Sequence, residues 1–443
     1  MIRVAGEIRV PARVATTGAI VELCHRATIL EQKRERRFGE LRLVEVPRKL
    51  ARFCDGDLVL PRAMMSDVRE LCAGVPIANE TTTAPLRFAG LLAWRPNQVE
   101  CARALVQHTQ MIAIGATGSG KTGAGCASIE AVGQRTLILA PTVDLCAQWA
   151  REIHRFLGVA AGVCTAGEWT DADVVVATPT TALRHEDRLA RFGLLIVDEV
   201  QGFATDIRCG LIGEVPALYR LALTATLPKD HRGEIIRSHF GEVRCTYAVC
   251  EGVAAGVLVT PIYKQVETYF VAPYAGPDDW ASLQDALVDD KDRNEMIVET
   301  VVRECAGAVT LVLSQRLAHL DKLASMLEGL GPRVGVLSGA VSKAERERVL
   351  ADTRAGKINV LLASTVADEG IDLPMLGALV LAFPGKSEPR LLQRIGRVLR
   401  AVPGKPRPLI FDFVDNVGPL RHQARIRAGA FARTFGAQPR TAA

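Results

Sequence analysis

No apolar run in this chain approaches the roughly 20 residues needed to cross a bilayer. None of its eleven cysteines forms a Cys-x-x-Cys pair, and there is no low-complexity tract. The first absence sets aside a membrane-spanning protein. The second leaves poor zinc spacing and little support for a disulfide framework. Cys245 and Cys250 stand alone at a five-residue step, so reduced, partly buried thiols are the expectation. Aromatic residues make up only 5%, which excludes base stacking as a repeated surface theme. The opening MIRVAGEIRV has charges where a secretory leader would be apolar. The expectation is a soluble, cytoplasmic chain with no membrane partner, and a monomer is taken as the default.

What is present is an ordinary globular composition, 49% apolar and 23% charged, over 443 residues. That length is too great for one core and suggests two or three domains. The formal charge of +5 is unevenly spread: residues 386–443 carry twelve Lys or Arg against three acids. Such a block suits a phosphate-rich partner, and it equally suits a solvated tail.

Residues 1–85 form a small N-terminal module by texture. IRVAGEIRV and DLVLPRA suggest short strands, EQKRERRFGE a charged loop or turn, and NETTTAP a linker. Its fourteen basic and eleven acidic residues suit a DNA-holding accessory and a solubilising or docking domain about equally. From residue 86 short apolar runs alternate with helical stretches, as buried parallel strands with crossover helices do. MIAI, TLILA, DVVVAT, LLIV and RLALTAT make one set. VTLVLS, RVGVLS, INVLLAS, ALVLAF and PLIFDF make a second. The expected organisation is an α/β chain with 1–85 as accessory module and two similar parallel sheets in tandem over 86–262 and 263–443.

The strongest chemical signal is MIAIGATGSGKTGAG, in which Gly115, Gly120, Lys121 and Thr122 have the spacing GxxxxGKT between a strand and a helix. Chance gives this pattern in roughly one chain in a hundred of this length, and the strand–loop–helix setting makes accident rarer still. Glycines let backbone N–H groups close around phosphate oxygens, and the helix amino end adds partial positive charge. Gly115, Thr117, Gly118, Ser119, Gly120, Lys121 and Thr122 are therefore the candidate ATP cradle. Lys121 would bridge the β- and γ-phosphates, and the Thr122 hydroxyl would ligate Mg²⁺.

LLIVDEVQGF then places Asp198 and Glu199 side by side after an apolar strand. Alone, this is more often a surface turn. Beside a phosphate loop, Asp198 suits the Mg²⁺ shell and Glu199 can accept the proton of an oriented water. A divalent cation relieves the cost of two adjacent carboxylates.

With RPNQ (95–98), GATGSGKT, APTVDLCAQW (140–149), ATPT (177–180), DEVQ (198–201), TAT (224–226), LSQR (313–316), STVADEGIDLP (364–374) and QRIGRVLR (393–400) in this order, the chain resembles a superfamily 2 helicase of the DExH group over roughly 90–415. The resemblance implies two tandem RecA-like domains, with ATP and Mg²⁺ as cofactors. It places Gln98 at the adenine, Gly370 and Asp372 near the ATP, and Arg397 and Arg400 as arginine fingers. Pro141, Thr142, Thr178, Pro179, Arg316 and Thr365 would meet the nucleic-acid backbone. Gln201 stands where many relatives have His. It keeps hydrogen bonding across the cleft while losing any titration near neutral pH. DEVQ together with LPRA resembles the phage-encoded and repair-type DNA helicases.

The leading expectation is an ATP-dependent DNA helicase or translocase. The alternatives are an RNA helicase and an ATP-gated clamp that binds without unwinding. Lys121→Ala is expected to abolish nucleotide binding or turnover, read as ATP hydrolysis; a normal rate would remove the loop assignment.

Overall fold

The computed structural model describes residues 1–37, 40–116, 118–364, 373, 375–385, 395–396, 406–436 and 440–442. Six candidate residues, Thr117, Thr365, Gly370, Asp372, Arg397 and Arg400, lie outside the described residues. The chain divides into two compact units. The first comprises Met1–Gly115 and Gly120–Tyr247; the second comprises Ala248–Ala443 and the four residues Ala116–Ser119.

In the first unit the N-terminal residues build a five-stranded sheet from β1 (Ile2–Val4), β2 (Glu7–Pro11), β5 (Arg52–Cys54), β6 (Asp57–Pro61) and β7 (Ile77–Asn79), in the order β5-β6-β2-β1-β7. A separate antiparallel hairpin joins β3 (Thr28–Arg37) to β4 (Glu40–Lys49). The charged stretch expected as a loop is thus mostly strand. Its backbone register runs from Thr28 opposite Lys49 to Lys33 opposite Val44, so the ribbon is held by paired backbone groups that local hydrophobicity does not announce.

The following sheet contains seven strands, all parallel to their neighbours: β8 (Gln110–Gly115), β9 (Thr136–Leu139), β10 (Gly162–Cys164), β11 (Val174–Ala177), β12 (Leu194–Val197), β13 (Tyr219–Thr224) and β14 (Val243–Tyr247). Their order is β10-β11-β9-β12-β13-β8-β14. TLIL, VVVA and LLIV are buried at every position, because helices cover both faces of a parallel sheet and alternation has no solvent side to mark. One apolar cluster contains Leu137, Val175 and Leu195; another contains Ile138, Val176 and Ile196. Successive side chains thus point to opposite faces, each of which is packed.

The N-terminal module is bonded to this sheet's amino-terminal edge. The buried Arg62 guanidinium donates to the carbonyls of Ala217 and Leu218, and burial lowers its pKa to about 10. The NETTTAP segment, expected as a linker, runs along the core with its backbone paired: Thr82 N–H donates to Pro216 O at 2.7 Å, Leu218 N–H to Thr82 O at 3.0 Å, and Arg135 N–H to Ala84 O at 2.7 Å. Polar composition marked the segment as a linker, but its backbone groups find partners in the sheet margin.

The second unit repeats the seven-stranded parallel plan with β15 (Ile262–Glu267), β16 (Val309–Leu313), β17 (Val334–Leu337), β18 (Val360–Ala363), β19 (Leu376–Leu381), β20 (Leu409–Val414) and β21 (Arg440–Ala442), in the order β17-β18-β16-β19-β20-β15-β21. The end of β20 is pinned by buried charge. Arg293, fully buried, donates to Asp415 at 2.6 Å, and Arg427 donates to Asp412 at 2.8 Å. Removing one partner of such a pair strands the other without solvent.

The tightest junction in the first unit is at Gly6. A Cβ built there would lie 1.8 Å from Gly213 O and 3.0 Å from Val215 O, both backbone atoms. Gly6→Ala is expected to lower stability by about 1–3 kcal/mol, as overpacking does, measured by urea unfolding. A midpoint equal to wild type would show that the module does not seat here in solution.

Candidate active site

Parallel register brings the sequence motifs to one edge of the first sheet. The carboxyl ends of β11, β9, β12, β13 and β8 are neighbours in that order, and ligands of open α/β sheets bind outside such ends. They carry Thr178, Pro141 with Thr142, Asp198 with Glu199, Thr224, and the phosphate loop. Asp198 is fixed at its backbone, its N–H donating to Leu139 O at 2.9 Å.

The loop leaves β8 at Gly115 and enters the helix Lys121–Val132. Gly118 and Gly120 have φ of +84° and +94°, the left-handed region that a side chain disfavours. Gly120 is the helix N-cap and offers no side-chain acceptor. The first N–H groups of the helix are therefore left without a capping side chain, an arrangement suited to an anion. Lys121 Nζ donates to Gly115 O at 3.1 Å, folding the ammonium back along the loop.

Gln98 lies behind this loop rather than open to solvent. It is 3% exposed. Its Oε1 accepts from Arg95 N–H at 2.9 Å, and its Nε2 lies 3.5 Å from Gly120 O. A Cβ on Gly123 would approach that Nε2 to 2.3 Å. The amide thus braces the cradle from beneath.

Asp198 is 4% exposed. Its Oδ1 accepts the Glu199 N–H at 2.9 Å, and its Oδ2 accepts the Trp149 indole N–H at 2.8 Å. Burial, reinforced by the adjacent Glu199 carboxylate, pushes its pKa up to about 6, while Lys121 and the Trp149 bond pull it down. A carboxylate so placed favours a cation beside it. With Thr122 at the start of the loop helix, the donor set of one hydroxyl and one carboxylate suits Mg²⁺.

Glu199 itself sits at φ +48°, ψ +50°, an unusual conformation for a residue with a side chain. A relay of hydrogen bonds follows. Gln201 Nε2 donates to Glu199 Oε2 at 2.6 Å, and the hydroxyl of Thr224 donates to Gln201 Oε1 at 2.7 Å. Gln201 satisfies both neighbours with one amide, which supplies a donor and an acceptor without a proton change. Thr224 also accepts from Thr226 N–H at 3.1 Å, so the TAT turn is tied into the relay.

The candidate strand-contacting residues have structural employment of their own. Thr142 caps the helix Val143–Leu157, its Oγ1 accepting from Leu145 N–H at 3.3 Å. Thr178 precedes the short helix Pro179–Ala182, and its hydroxyl lies 3.0 Å from that of Thr181. In the second unit, Arg316 precedes the helix Leu317–Leu327, and its guanidinium pairs with Asp285. Ser314 in the same LSQR stretch holds His319, which also bonds to Asn294; burial lowers the His319 pKa to about 3.

Trp149 ends the APTVDLCAQW stretch, and the motif resemblance gives it no part in the site. Its burial is complete, yet its single polar atom is spent on Asp198. The signal available was the seven-residue step from Thr142 to Trp149, two helical turns that keep both on one side of the helix. Thr224 was read as part of a motif without a named partner.

Comparison with known proteins then decides the family. The description "DEAD/DEAH box helicase" matches residues 95–233, and "Helicase conserved C-terminal domain" matches residues 292–402. Together they span more than half of the chain. The chain belongs to the superfamily 2 helicases. As such this helicase binds and hydrolyses ATP. It is 24% identical over 343 residues to a protein named DNA 3'-5' translocase XPB2 of Sulfurisphaera tokodaii, covering 69% of this chain and 78% of that one. It is 28% identical over 349 residues to a putative DNA 3'-5' helicase Rad25 of Halobacterium salinarum, covering 74% of this chain and 56% of that protein. The chain therefore spans little more than half of the second relative. Among solved structures, Dbp5 of S. cerevisiae bound to RNA and ADP BeF3 superposes with a TM-score of 0.58 at 18% identity, covering 77% of this chain and 89% of that one. That likeness establishes the tandem RecA-like fold.

Thr224→Val keeps the shape and removes the hydroxyl, leaving Gln201 Oε1 without its donor. A cost of about 0.5–1.5 kcal/mol is expected for losing a hydrogen bond to a half-buried amide. It should appear mainly as a drop in kcat for ATP with KM little changed. Steady-state hydrolysis checks this; an unaltered kcat would detach the TAT turn from the reaction.

Proposed function

We propose that this helicase couples ATP hydrolysis to movement along, or remodelling of, DNA, by unwinding or branch migration. The observation that carries the reading is the continuous arrangement from Lys121 through Asp198 and Glu199 to Gln201 and Thr224 on one sheet edge. That row supplies an ammonium suited to a triphosphate, a carboxylate suited to a divalent ion and a second carboxylate suited to an attacking water. What supports DNA over RNA is the similarity to proteins named as DNA translocases and helicases. An RNA helicase is the second reading, supported by similarity to proteins named as RNA helicases and by the shared fold of an RNA-bound neighbour.

In this proposal the loop N–H groups and Lys121 grip the β- and γ-phosphates. Thr122 and Asp198 would hold Mg²⁺, which would supply positive charge to offset the charge developing on the transferred phosphate. Glu199 accepts the proton of the attacking water, and Gln201 fixes its carboxylate through Oε2. Gln98 supports the cradle beside the base. Arg397 and Arg400, with Gly370 and Asp372, keep within the proposal the ATP-directed roles that the motif resemblance gives them. Pro141, Thr142, Thr178, Pro179, Arg316 and Thr365 keep the strand-contacting ones. Contacts of that kind go mainly to phosphate and sugar, so binding would tolerate sequence and weaken with salt. For Thr142 and Thr178 the contact would come from atoms at helix amino ends, where backbone N–H groups already favour phosphate. Arg316 would exchange Asp285 for a phosphate, both being exposed partners of modest strength.

ATP hydrolysis measured with single-stranded, duplex and forked DNA beside single-stranded and duplex RNA is expected to rise at least tenfold with a DNA and little with any RNA. Stimulation by RNA alone would replace the first reading with the second. Glu199→Gln is expected to retain ATP binding and lose at least a hundredfold in turnover, in the range of removing a general base; rapid turnover would exclude Glu199 as the water's proton acceptor.

A further inference from the structure

The helix that carries Lys121 and Thr122 contains glycine at 123 and again at 125. Each glycine inside a helix costs about 1 kcal/mol relative to alanine, so two in one helix call for a reason. At Gly123 the reason is Gln98. At Gly125 it is Trp149: a Cβ there would come within 2.4 Å of the indole Cη2 and 3.0 Å of Cζ3. The ring slots across the phosphate-loop helix and presents its N–H to Asp198 Oδ2 at 2.8 Å, while the Glu199 N–H occupies Oδ1 at 2.9 Å. Both carboxylate oxygens are thereby oriented, one from the backbone and one from a rigid ring.

We propose that Trp149 is a positioning residue for the nucleotide-bound divalent cation: its indole N–H sets the Asp198 carboxylate at the angle that receives the metal. This rests on the reading of Asp198 as the metal-holding carboxylate. The choice of group has a physical logic. Lysine or arginine in that place would fix the carboxylate more strongly, but its charge would repel the incoming cation. A neutral indole donor fixes the angle and leaves the full negative charge for the metal. The bulk of the ring also keeps water from the rear of the carboxylate, so the charge is not dissipated by solvent. Packing alone would have been met by any large apolar side chain, and a buried indole needs only some acceptor. Here the acceptor is the carboxylate whose orientation the chemistry needs.

The test is Trp149→Phe in the full chain, with Asp198→Asn as reference. Mg²⁺ titrations are read in two ways: as half-saturation of ATP hydrolysis at saturating ATP, and as the Mg²⁺-dependent rise in melting temperature with ADP present, which needs no turnover. Binding of a fluorescent ADP analogue in excess EDTA gives the metal-independent affinity. The expected result for Trp149→Phe is a Mg²⁺ half-saturation raised about tenfold in both readouts, with metal-free affinity within twofold of wild type. A Mg²⁺ dependence equal to wild type in a folded variant would overturn the proposal. If Trp149→Phe fails to fold, replacing Trp149 by β-(3-benzothienyl)alanine, which exchanges the N–H for sulfur in a ring of the same size, gives the same decision. Asp198→Asn separates the two readings. If it also leaves Mg²⁺ dependence unchanged, the metal assignment of Asp198 falls; if it alone shifts the dependence, only the role of Trp149 does.

Discussion

A carboxylate taken out of water at the end of β12 is the constraint around which this helicase's first unit is arranged. Asp198 is buried, and an isolated ionised carboxylate in that setting is costly. Its neighbours answer the cost in three ways: a backbone N–H and an indole N–H bond to it directly, and the ammonium of Lys121 acts through space. None of the three neutralises it by a direct ion pair. What remains is a held negative charge on the sheet edge that also carries the glycine-rich loop, a setting that suits a divalent cation. The parallel sheet makes this arrangement possible, since only parallel neighbours deliver five strand ends to one edge.

The sequence was most legible where a residue type is forced by local geometry. Gly118 and Gly120 adopt left-handed backbone, so the glycine spacing of the phosphate loop could be recognised without any tertiary information. Strands buried on both faces, such as LLIV and VVVA, announced themselves as unbroken apolar runs. What was not legible depends on chain segments far apart in number. Trp149 and Asp198 are 49 residues apart, and nothing in the spacing of either distinguishes a tryptophan that fills space from one that aims a hydrogen bond. The role of Gly125 was hidden for the same reason, because the obstructing ring comes from another helix. The hairpin of β3 and β4 is hidden because its pairing is between backbone groups, while the charged residues along β3 look, in one strand, like a solvated loop.

The relay from Glu199 through Gln201 to Thr224 joins two strand ends that are adjacent in the sheet. Histidine at 201 could have made the same two bonds in one tautomer. Glutamine makes them in every protonation condition near neutrality, so this link is indifferent to pH where a histidine would not be.

The seat of the N-terminal module has its own consequence. Arg220, at the start of β13, is fully buried, and its guanidinium donates to the carbonyls of Ile212 and Val215. Its pKa is depressed far below the ordinary arginine value by burial and by the neighbouring Arg62. Two guanidinium groups thus share one dry junction, and the second of them belongs to the module. Cutting the chain after the module would not release a ready-made motor. It would take Arg62 away from Ala217 and Leu218 and flood the floor of the sheet with solvent, so any loss of activity in a shortened chain would report on a damaged foundation as much as on a missing DNA handle.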